Sequence, residues 1–94
     1  MTPLGVALVR GNFDAAASLI ELGADIYTAD GHGDTPLHDA AYHGGPHIVE
    51  MLLERDVELN VQNQDGHTPL DLAWWKGSKE CEEMLLAKGA QSGD

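Results

Sequence analysis

The groups in this 94-residue chain that could do chemistry are five histidines, sixteen aspartates and glutamates, and a single cysteine, Cys81. Metal binding is the first chemistry that histidines suggest. It needs ligands about 2 Å from a common centre, and familiar sites show short, regular ligand spacings. His32, His38, His43, His47 and His67 show none of these spacings. One cysteine can form neither a disulfide framework nor a cysteine-rich zinc site. No metal and no other cofactor is expected.

Carboxylate catalysis needs a pocket that shifts a pKa, and no local pattern supplies one. Glu80, Glu82 and Glu83 crowd one short stretch as a solvated face, with Lys79 and Lys88 close by. Asp14, Glu21 and Asp25 suit surface or cap positions. Gly31-His32-Gly33 is a turn and Gly44-Gly45 a helix break, so neither is a phosphate-cradling loop. No nucleophile elbow occurs. An enzyme is not expected. The unusual local pair is Trp74-Trp75. Adjacent helical residues point about 100° apart, so the two cannot bury in the same direction. Aromatic side chains are enriched among the residues that carry binding energy at interfaces.

The elements that must position these groups are set by a repeat. Thr-Pro-Leu begins at Thr2, Thr35 and Thr68, at a constant spacing of 33 residues. A fixed period of this size marks a stacked-repeat architecture, in which no unit buries its apolar face alone. In the middle unit Thr35 is a helix N-cap and Pro36 fills the first helical position. Leu37, Ala40 and Ala41 recur at helical spacing, and Gly44-Gly45 ends that helix. Pro46 opens a second helix with Ile48, Val49, Leu52 and Leu53 as its stripe. Arg55-Asp56 closes it, and turn formers fill the stretch to His67.

The flanking units keep this order. Asn12 and Ser78 are expected to cap their second helices. Ala15, Ala16, Leu19 and Ile20 form the stripe of the first unit, and Cys81, Leu85 and Leu86 that of the third. Segments 24–34 and 57–67 are expected as hairpin-like fingers projecting sideways. The expected architecture is mainly α: a solenoid of about three helix-turn-helix units with fingers. Its units span 2–34, 35–67 and 68–90 of one domain, with 91–94 a disordered tail.

Charge narrows the class of partner. The formal net charge is −11, made of −4 over 2–34, −5 over 35–67 and −2 over 68–94. Such a field repels nucleic acid and anionic membrane and favours basic surfaces, while it also supplies solubility. No apolar run approaches the roughly 18 residues of a membrane span. No basic segment followed by an apolar stretch opens the chain, so a signal peptide is not expected and the compartment is expected to be cytoplasmic or nuclear.

Thr35-Pro36-Leu37-His38-Asp39-Ala40-Ala41, then Gly44, Ile48-Val49 and Leu52-Leu53, resemble the ankyrin repeat, and the resemblance covers 2 to about 90. It implies L-shaped units with helices stacked in two layers and fingers roughly perpendicular to them. It also implies protein binding, without catalysis, through finger tips and the inner face of the first helices. Some asparagines at the place of Asn60 are hydroxylation targets in that family.

Departures from the pattern are specific. Gly5 and Asp71 stand where the middle unit has His38, which is expected to bond backbone and Thr35. Trp74 stands in place of Ala41 and should cover the outer layer of the last unit. Glu82 replaces the apolar residue matching Val49, which suits a C-terminal cap. No finger precedes Thr2, so the chain is expected to be either a fragment of a longer array or a compact protein with a frayed start.

Trp75 matches Tyr42 and Val9 in register, and all three should face the concave groove. Packing of Trp75 on the finger from Gln64 to His67 is an equal alternative. The candidate partner-binding set is His32, Asp34, Tyr42, His43, Gln64, Asp65, His67, Trp75 and Lys76. Tyr42 and Trp75 would be anchors, and Asp34 and Asp65 would steer another protein with a basic patch. Histidines on this acidic face would lower its negative charge below about pH 6.5. The alternative function is a structural segment of a longer scaffold with no separate ligand. The protein is expected to be a monomer or part of a larger multidomain chain.

Overall fold

The computed structural model describes residues 2–43 and 45–93, and Gly44 of the expected helix break lies outside them. It contains six short helices: α1 Pro3–Val9, α2 Phe13–Glu21, α3 Pro36–Tyr42, α4 Pro46–Leu53, α5 Pro69–Lys76 and α6 Lys79–Ala87. Each of α1, α3 and α5 starts as its sequence dictates. Thr2, Thr35 and Thr68 hold extended backbone and their hydroxyls accept from the third residue onward, while proline takes the first turn. The helices pack in two layers, α1–α3–α5 and α2–α4–α6, and each pair within a unit also touches. No strand occurs among the described residues.

Two expected caps are absent. Neither Asn12 nor Ser78 makes a side-chain cap bond. The tight turn before each helix does the work instead, through Asn12 N–H to Ala7 O at 2.8 Å and Ser78 N–H to Ala73 O at 2.9 Å. These bonds fix the backbone, and the side chains are left to solvent or other contacts.

Burial follows the direction of stacking. Positions 8, 41 and 74 face the next unit: Leu8 and Ala41 are fully buried, whereas Trp74 is 70% exposed. Positions 16, 49 and 82 behave alike, with Ala16 and Val49 buried and Glu82 half-buried. A carboxylate at Glu82 keeps water on the end face and avoids the cost of full burial. On the opposite side Ile48 and Cys81 are buried, but Ala15, expected in the core stripe, is exposed. It points away from the stack. Leu86 is 52% exposed for the mirror-image reason. Burial holds the Cys81 thiol up at about 11, with Glu80 adding to the shift, so this cysteine is a packing residue.

The second helices end in a left-handed residue. Gly23 and Gly89 have φ of 94° and 90°, and Asp56 occupies the equivalent place with φ 55°. A side chain there strains the backbone. Asp56→Gly is expected to stabilise the fold by roughly 0.5–1 kcal/mol, net of the entropy glycine adds to the unfolded chain. The readout is a higher urea midpoint at unchanged slope.

Residues 91–93 hydrogen-bond to the second and third units. Gln91 N–H donates to Asn60 Oδ1 at 2.8 Å, and Thr68 Oγ1 donates to Gln91 O at 2.8 Å. Gly93 N–H reaches Asp71 Oδ2 at 2.8 Å.

Candidate interaction groove

The two fingers share one local design. In the first, Asp30 N–H donates to Asp34 O at 2.9 Å, and Asp30 Oδ1 accepts from His32 N–H and Asp34 N–H at 2.8 and 3.0 Å. In the second, Asn63 N–H donates to His67 O at 2.9 Å, and Asn63 Oδ1 accepts from Asp65 N–H and His67 N–H at 3.0 Å each. An Asx side chain thus closes each tip. The amide at position 63 has donors to spare, and its Nδ2 donates to Asp34 Oδ1 at 2.9 Å. Gln64 N–H reaches His32 O at 2.9 Å and its Nε2 reaches Gly31 O at 2.7 Å. Gly33 lies so close to this seam that a Cβ there would stand 2.9 Å from Gln64 N. The tips are stitched together, so they present one surface.

His38 ties that surface to the helices. Thr35 N–H donates to its Nδ1 at 3.1 Å, so the proton sits on Nε2 and is donated to His67 O at 2.9 Å. Asp71 makes the corresponding capping box in the third unit, accepting from Thr68 N–H at 2.9 Å. Gly5 offers no such side chain. An open cleft of about 210 Å³ lies beside it, lined by Thr2, Asp25, Thr28, Asp34 and Asp39 among others.

Between fingers and first helices runs an open groove of about 340 Å³. Val9, Tyr42 and Trp75 all line it, one from each unit. His32, Asp34, His43, Asp65 and His67 join them. Two expected members do not line it. Gln64 serves the seam between fingers. Lys76 stands at the rim, with Nζ 4.8 Å from the centroid of the Tyr42 ring. Trp75 is 66% exposed and also meets the His67 ring edge-on at 5.7 Å. Trp75 thus touches the finger through His67 and keeps most of its surface open to the groove.

Asp30, Asp39, Asn63 and Leu72 line the groove as well. Asp39 is the informative omission. It precedes Tyr42 and His43 by three and four residues, so the helical period places all three on one side. Its equivalents are Val6 and Leu72, which disguise the position as apolar. Burial, then Asp34 and Asp30, raise its pKa from 3.8 to about 7. His43 is shifted below the usual imidazole range by burial and then by Lys76, which weakens it as a source of positive charge near neutral pH.

The raised Asp39 pKa sets a pH dependence. An acid whose folded pKa exceeds its unfolded one contributes stability that is complete below about pH 4 and lost as pH rises through about 7. Asp39→Asn removes this loss. The urea midpoint of the variant minus that of the wild type should grow as pH is raised from about 4 to about 8. A difference that stays flat would contradict the assigned shift.

Among the described residues, no three His, Cys, Asp or Glu side chains are grouped to hold a metal ion. No helix among them is long and apolar enough to cross a membrane. A family model of ankyrin repeats matches residues 6–93 in three copies. The chain belongs to the ankyrin repeat family. No curated protein matches its sequence significantly. Ankyrin repeats are generally protein–protein interaction modules and are typically non-catalytic. In this ankyrin chain the usual turn histidine is present only in the middle unit, as His38.

Proposed function

We propose that the protein is a non-catalytic interaction module that binds another protein through the finger tips and the concave face of its first helices. The three units, 2–34, 35–67 and 68–90, act as one domain. The observation that carries this reading is the convergence of Val9, Tyr42 and Trp75, one per unit, in one groove walled by Asp30, Asp34, Asp39 and Asp65. Exposed aromatics in a desolvating groove supply binding energy. The carboxylates steer a partner with a basic patch and disfavour nucleic acid and anionic membrane. A cytoplasmic or nuclear location fits such a role.

Affinity capture from cell extract with wild type and the Tyr42→Ala/Trp75→Ala double variant tests it. A partner retained by wild type and lost by the variant supports the groove. Identical capture by both contradicts it.

A second reading is supported by the end face of the third unit. There Trp74 and Leu86 flank Glu82 around an open cleft, and the chain would serve as a segment of a longer scaffold. A fourth repeat unit fused after Gly93 that buries Trp74, read as a blue shift of its fluorescence, would favour that role.

A further inference from the structure

Lys76 stands beside a groove whose walls hold Asp30, Asp34, Asp39 and Asp65. It does not line the groove; its ammonium sits 4.8 Å from the centroid of the Tyr42 ring. That distance is within the range of a cation–π contact, and Lys76 itself is exposed. The face of Tyr42 is thus a seat already occupied by a cation from the chain's own α5. Acidic groups line the same groove. Asp34 is oriented by the Asn63 amide at 2.9 Å, and Asp39, one helical turn before Tyr42, is partly charged near neutral pH because its pKa is raised to about 7. Trp75 supplies a second aromatic surface nearby, held by its edge contact with His67.

We propose that this groove is a receptor for an arginine-bearing segment of the partner, and that Lys76 is a built-in competitor for the Tyr42 seat. The inference rests on the groove being the interaction surface. Arginine fits better than lysine because its planar guanidinium stacks on an aromatic face while its edge forks onto a carboxylate. Lysine offers only a compact, strongly hydrated point charge. The exposed cation–π contact that Lys76 makes is weak, so an incoming guanidinium with carboxylate partners displaces it. Before that, Lys76 repels the arriving cation and covers the ring. It therefore raises the threshold for weakly basic partners and leaves strongly matched ones bound, a means of specificity by disfavouring the wrong ligand.

The test uses a fluorescein-labelled, capped peptide of arginine, glycine and serine, read by anisotropy at low salt. Lys76→Met keeps the aliphatic stem and removes the charge. It should tighten arginine-peptide binding by about three- to tenfold. Adding Tyr42→Ala to it should return the affinity to or below the wild-type level. The matched lysine peptide should bind more weakly to every protein. Circular dichroism checks that each variant is folded, and both changed side chains lie outside the buried core.

Unchanged or weaker binding by Lys76→Met overturns the competitor role. So does a Lys76→Met/Tyr42→Ala protein that binds as tightly as Lys76→Met. An acidic peptide preferred over the arginine peptide, or no arginine-peptide binding to either protein at millimolar concentration, overturns the partner chemistry. None of these results touches the captured-partner comparison with Tyr42→Ala/Trp75→Ala, which separately decides whether the groove is the interface.

Discussion

His38→Ala should be the most damaging single change in the turn network, lowering stability by about 2–4 kcal/mol. The imidazole is fully buried. Its removal leaves the Thr35 amide without its acceptor and takes the Nε2 donor from His67 O, which then keeps only the Asn63 amide. Leaving buried polar groups short of partners costs about 1–3 kcal/mol each, whereas the bond itself is worth only about 1. A void the size of the ring adds to that. For a domain of this length, each kcal/mol moves Tm by roughly 4–8 °C, so a drop of more than about 10 °C is expected by circular dichroism. His38→Asp tests the mechanism, because Asp71 performs the capping half of the role in the third unit. That variant should recover part of the loss, since the cap returns and the tie to the second finger does not. Equal melting of His38→Ala and wild type would remove the histidine from the account.

The same residue shows how much was legible in advance. Thr35-Pro36-Leu37-His38 encodes a local structure, and local structure repeats with the sequence, so the helix order follows from the period, while the two-layer stack was what the ankyrin resemblance implied. The register of Val9, Tyr42 and Trp75 was equally legible, because the spacing between units carries over into space. What escaped depended on contacts that no spacing records. Asp39 occupies a position that is apolar in both other units, and only its one-turn offset from Tyr42 pointed to the groove. Lys76 was expected at the site, but its reach to Tyr42 of the neighbouring unit comes from the packing of α5 on α3. Asn12 and Ser78 have capping side chains by type, yet the preceding tight turns made those caps unnecessary. Ala15 follows the apolar stripe but lies on the side of the helix that faces away from the stack.

The largest functional effect is expected from the two aromatic anchors. Tyr42 is half-buried and Trp75 mostly exposed, so neither supports the core, and their joint replacement should leave the helices folded. Residues of this kind at the centre of an interface each contribute about 2 kcal/mol or more when truncated to alanine. With about 1.4 kcal/mol per factor of ten, the pair should account for at least roughly a hundredfold in affinity. Asp65, by contrast, is exposed at a finger tip, and Asp34 is half-buried under the Asn63 amide. Changing them should alter the salt dependence and the association rate more than the final affinity.

Titration calorimetry of the captured partner is the most direct test of the groove. It compares wild type with Tyr42→Ala/Trp75→Ala, and uses Leu22→Ser as a control on an 83% exposed side chain of the other layer. A loss of about a hundredfold or more in the double variant, with the Leu22→Ser protein binding as wild type, is the predicted result. Wild-type affinity in the folded double variant would contradict the assignment of the groove as the binding site.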